Sequence, residues 1–65
     1  TKYYDQAVLF FRKALAIRPR DTQVRFELSR ALLASGKRDE ALREYQRLAT
    51  ENDTLAQKLN KELTR

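Results

Sequence analysis

The chain has 65 residues, a net charge of +5, 42% apolar and 35% charged residues, one Gly, one Pro, and no Cys, His, Met or Trp. This length allows one small domain and excludes a two-layer enzyme with a cofactor crevice. The missing Cys and His exclude disulfides, thiolate or imidazole nucleophiles and the usual zinc, copper or haem ligands, so no metal and no cofactor is expected.

No run approaches the roughly 20 apolar residues of a membrane span, and no basic-then-apolar signal segment opens the chain. The first residue is Thr1 rather than Met, which is the expectation for an excised piece or a processed product. Leu, Ala, Arg, Glu, Lys and Gln dominate and favour helix throughout. Pro19, Gly36 and the polar run Thr50 to Thr54 divide the chain into four helical segments.

The first segment is predicted over about 4–17. Ala7, Val8, Phe11, Ala14 and Leu15 share one face at three-and-four spacing, and Leu9, Phe10 and Ile17 widen it until the helix has apolar residues for two packing sides. Tyr3 and Tyr4 stand just before it, one expected to pack as a hydrophobic staple and the other to be exposed. The second segment covers about 22–35, with Val24, Leu28, Ala31 and Leu32 as its stripe, Asp21 or Thr22 as its cap, and Phe26 and Leu33 off the stripe.

The third segment covers about 39–51. Its stripe is Ala41, Leu42, Tyr45, Leu48 and Ala49, and Glu40 and Glu44 are expected in surface pairs with Arg43 and Arg47. The fourth covers about 55–63, with Leu55, Leu59 and Leu63 four apart and Thr54 with Gln57 reading as a capping box. Connections of two to five residues make neighbouring helices antiparallel.

Sliding the chain by 34 residues lays Asp5 on Asp39, Gln6 on Glu40, Ala7 on Ala41, Val8 on Leu42, Phe11 on Tyr45, Lys13 on Arg47 and Leu15 on Ala49. One period holds two helices and their turns, the mark of a solenoid whose units bury their faces by stacking. Ala7, Phe11, Ala14 and Pro19, then Leu28, Ser29 and Leu32, then Gly36, then Ala41, Tyr45 and Leu48 resemble the tetratricopeptide repeat family over about residues 2–53. Arg25 stands where that family has a core aromatic, Leu48 where it has a small residue, and Asp53 where it has Pro.

The resemblance implies an all-α antiparallel helix-turn-helix solenoid of about four helices, occupying residues 1–65 as one fragment. It implies that the chain starts in mid-repeat, with a helix ahead of Thr1 that would have covered part of Ala7 to Ile17. It also implies a non-catalytic module that binds a protein or peptide along each repeat's first helix, which here falls on Gln23, Phe26, Glu27, Arg30, Leu33 and Ala34. Phe26 is either an interface anchor or a filler between repeats. Arg30 either gives its donor fork to a partner carboxylate or is solvated. The carboxylate clamp of some family members is absent, since Phe26 takes its Lys position and Arg30 its Asn position.

Residues 12–36 hold six basic side chains against two acids. They suit an acidic partner, while nucleic acid is not expected without a basic Gly-rich loop, zinc module or recognition helix. Leu9, Phe10 and Ile17 are expected to form an exposed apolar patch, to be covered by a neighbouring domain or by self-association. The alternative function is a structural spacer that positions a neighbouring domain. The run from Val24 to Gly36 also resembles repeats ahead of bacterial outer-membrane barrel proteins, which sets an envelope or periplasmic expectation, with the cytoplasm as the other.

Overall fold

Pro19 and Gly36 break the backbone in different ways. A computed structural model describes the backbone of residues 2–63 and the side chains of residues 3–61. In it α1 (Lys2–Ile17), α2 (Thr22–Ala34), α3 (Arg38–Glu51) and α4 (Asp53–Leu63) follow one another, with no strand among the described residues. After α1 the Pro19 turn closes through Asp21 N–H to Arg18 O at 3.1 Å. Asp21 then caps α2, its carboxylate accepting from Val24 N at 3.2 Å. Gly36 adopts φ +86°, open to Gly without the steric cost that a Cβ brings. There Gly36 N–H donates to Leu33 O at 3.1 Å and Lys37 N–H to Leu32 O at 2.8 Å. This paired closure satisfies the orphan carbonyls of α2 and turns the chain back on itself.

The third break is a single residue. Asn52, at φ −152°, donates its N–H to Leu48 O at 2.7 Å and accepts Leu55 N–H on its side-chain oxygen at 3.2 Å. Asn52 is therefore the cap of α4, and the expected Thr54–Gln57 box does not form. Gln57 donates instead to Asp53 Oδ2 at 3.0 Å. The Asn52 amide also reaches back to Thr22 Oγ1 at 3.4 Å, tying the α3–α4 corner to the start of α2. A residue that serves three elements, one through its backbone and two through its side chain, lets the connection shrink to one residue. The side chain of Leu63, expected in the α4 stripe, lies outside the described residues.

Four antiparallel helices in one all-α unit is the architecture that the periodicity predicts. α2 is its centre, packing on α1, α3 and α4, while α3 lies between α2 and α4. The core holds Val8 from α1, Leu28, Ala31 and Leu32 from α2, Ala41 and Leu48 from α3, and Ala56 and Leu59 from α4. Three of these eight are Ala, and a short side chain lets helix axes approach while leaving Leu28, Leu32, Leu48 and Leu59 to fill the space between them.

Three expectations are corrected. Leu42, expected in the α3 stripe, is 39% exposed and lies outside the buried core cluster. Glu44 is no surface acid: it is buried, and Arg25 Nη1 donates to its Oε1 at 2.6 Å. Tyr3 and Tyr4 lie inside α1, so neither is a staple ahead of it. They stand edge to face with ring centres 5.2 Å apart, Tyr3 the more exposed.

Candidate interaction surface

The side of α2 turned away from Leu28 carries Gln23, Phe26, Glu27, Arg30 and Leu33 at three-and-four spacing. The fold brings these side chains onto one surface. Gln23 and Arg30 are exposed, Phe26, Glu27 and Leu33 are half-buried, and Ala34 at the helix end is exposed. Phe26 and Leu33, two turns apart, rest their inner edges on the core and leave their outer edges to solvent. Phe26 is thus partly a packing residue and partly available surface.

Arg30 is held over that surface. Its guanidinium carbon lies 5.8 Å from the Phe26 ring centre, within range of a cation–π contact. Its Nη1 lies 3.9 Å from Glu27 Oε1, with both side chains more than a third exposed. A pair so exposed contributes about 0.3–0.5 kcal/mol at most, so a partner's carboxylate could displace Glu27 at little cost. Beside this face, Tyr3, Tyr4 and Ala7 of α1 and Arg30, Ala31 and Ala34 of α2 line an open cleft of about 450 Å³. Spacing along the sequence does not place Tyr3 and Tyr4 at this site. Their signal was there in a pair of adjacent aromatics, but it pointed at packing, and only the crossing of α1 over α2 sets them beside Arg30.

Behind the face lies an ion cluster between α2 and α3. Arg25 Nη2 donates to Pro19 O at 2.8 Å, its Nη1 to Glu44, and its Nε lies 3.6 Å from Glu51 Oε1. That last distance is an ion pair without a hydrogen bond, and Arg25 Nε is a buried donor with no hydrogen-bond partner among the described residues. Ser29 Oγ donates to Arg25 O at 3.0 Å inside the same seam. Arg12 of α1 reaches Glu40 of α3 at 3.1 Å, an exposed pair. On the far side of α1, Leu9, Phe10 and Ile17 are 61%, 67% and 81% exposed.

A family model for the tetratricopeptide repeat matches residues 2–61. The chain belongs to the tetratricopeptide repeat family. No curated protein and no solved structure matched it. The match takes in all four helices but for the last residues of α4. Modules of this family are non-catalytic scaffolds for protein–protein interaction. Among the described residues no group of three or more Asp or Glu is placed to hold a metal ion, and no helix is long and apolar enough to cross a membrane.

Proposed function

We propose that this tetratricopeptide repeat module holds an acidic segment of a partner protein on the outward face of α2, at Gln23, Phe26, Glu27, Arg30 and Leu33. One observation carries the reading: Arg30 lies 5.8 Å from the Phe26 ring centre and 3.9 Å from Glu27 Oε1, a pair with both side chains more than a third exposed. Its fork can exchange one carboxylate for another, while Phe26 and Leu33 offer apolar edges on either side. The net charge of +5 draws an acidic segment towards the surface. The Tyr3–Tyr4 cleft lengthens the contact beyond α2.

Titrating the chain with short fluorescent peptides tests this, one rich in Asp and Glu with a central Leu and one with those acids replaced by Gln and Asn. The acidic peptide is expected to bind more tightly, to weaken with salt, and to lose its advantage on Arg30→Glu. Equal binding of the two peptides, or indifference to Arg30→Glu, removes the reading.

The second reading is a spacer that positions a neighbouring domain, and the exposed Leu9, Phe10 and Ile17 favour it, because a domain packed on α1 would cover them. An envelope assembly or secretion setting rests on the resemblance of residues 24–36 alone.

A further inference from the structure

α1 and α3 both pack on α2, yet their backbones do not touch each other. Between them opens a cleft of about 260 Å³, reached by side chains of all three helices. Three guanidinium groups line it, Arg12 of α1, Arg25 of α2 and Arg47 of α3, against the single carboxylate of Glu44. Glu44 is already engaged, its Oε1 accepting from Arg25 Nη1 at 2.6 Å. The Arg25 side chain is nine-tenths buried. A guanidinium carries five N–H donors, of which Arg25 places one on Glu44 and one on Pro19 O, while its Nε has no hydrogen bond. Arg47 is exposed and makes no ion pair among the described residues. Arg12 is paired with Glu40 at 3.1 Å, but both side chains are more than two-fifths exposed, and a pair so exposed is readily exchanged. The cleft therefore holds more donors than the acceptors around it take up. Leu15, half-buried, and Ala16, exposed, add an apolar wall on the α1 side.

We propose that this cleft binds a phosphorylated side chain of a partner protein, its phosphate between Arg12 and Arg47 and its carbon stem against Leu15 and Ala16. The placement of the forks selects the ligand. A carboxylate offers two oxygens in one plane, which a single guanidinium satisfies bidentately. A phosphate monoester presents three acceptor oxygens and close to two negative charges at pH 7. It can take donors from α1 and α3 together, from different directions. The apolar wall gives a phosphorylated side chain a contact that a free phosphate ion leaves unused. This cleft is separate from the outward face of α2, and neither Phe26 nor Arg30 lines it, so the two sites stand or fall independently.

Fluorescence anisotropy with three short peptides tests the proposal, the three alike but for a central phosphoserine, Ser or Glu. The phosphoserine peptide is expected to bind about tenfold more tightly than the Glu peptide, the worth of one further charged hydrogen bond, and the Ser peptide more weakly than either. Three variants each remove one positive charge: Arg47→Gln in the cleft, Arg43→Gln on α3 outside it, and Arg30→Gln on the face of α2. Circular dichroism checks that each folds. Arg47→Gln is expected to abolish the phosphoserine advantage, and Arg43→Gln and Arg30→Gln to leave it. Amide NMR shifts on adding the phosphopeptide should centre on Leu15, Ala16 and Arg47. Equal binding of the phosphoserine and Glu peptides, or an advantage that survives Arg47→Gln, overturns the proposal. Equal losses from Arg43→Gln and Arg47→Gln do so as well, by showing attraction to net charge alone. Shifts centred on Phe26 and Arg30 would move the phosphate to α2, and inorganic phosphate binding as tightly as the phosphopeptide would make the occupant a free ion; either result overturns it.

Discussion

Arg25 and Glu44 are charges held away from water, 7% and 8% exposed and joined at 2.6 Å. Such a pair adds little net stability, since desolvation offsets attraction, but removing one member strands the other at a cost of about 3–5 kcal/mol. A single core of this size supplies about 3–5 kcal/mol in all. Glu44→Ala is therefore expected to leave the chain largely unfolded at room temperature by circular dichroism, while Arg25→Leu combined with Glu44→Leu keeps or raises the urea midpoint. A double variant as unstable as the single one would mean that the charges themselves hold α2 on α3. Ala41 is fully buried where α3 crosses its neighbours. Ala41→Leu is expected to cost about 1–3 kcal/mol by overpacking, read from urea melts.

At the scale of the helices, the corners decide the architecture, and each corner rests on one residue. Asn52 caps α4, closes α3 and reaches Thr22. Asn52→Ala should lower stability by about 0.5–2 kcal/mol, the usual worth of such a cap. Thr54→Ala, at the position that sequence spacing favours for the cap, should change the melting temperature little. The reverse order would return the cap to Thr54. Gly36 has open space where a Cβ would stand, so Gly36→Ala meets no clash and reports backbone conformation alone. Its φ of +86° sets the expected loss at about 1–2 kcal/mol, and a neutral result would mean that the α2–α3 turn relaxes to another closure.

At the scale of the whole molecule, two surfaces of different chemistry lie on different helices. The outward face of α2 offers a cation over an aromatic ring, and the outer line of α1 offers only apolar side chains. Salt separates them: screening over about 10 Å at 0.1 M weakens charge attraction between exposed groups, whereas burial of apolar surface is not weakened by it. Raising salt is therefore expected to loosen an acidic peptide from α2, read by repeating the peptide titration at low and high salt, and to leave apolar contact on α1 unweakened. An acidic peptide that binds α2 independently of salt would shift the recognition from Arg30 to Phe26 and Leu33.

The sequence by itself determined the helical class, the turns at Pro19 and Gly36 and the 34-residue period. These depend on local matters: backbone propensity, the fixed φ of Pro, the freedom of Gly, and the spacing of apolar residues along one helix. The Phe26–Arg30 arrangement was half legible, since residues four apart on a helix must be neighbours, although the aromatics that flank them from α1 were not. Only the tertiary structure decided that Arg25 and Glu44 are buried partners, that Asn52 rather than Thr54 caps α4, and that Leu42 is left in water. For the ion pair the reason is a neighbour distant in sequence, Glu44 being 19 residues from Arg25, while Asn52 makes its cap locally to Leu55 and is held as well by Thr22, 30 residues away. A charged side chain reads as surface until another helix supplies its counterion and removes its water, and nothing in its own segment records that this will happen.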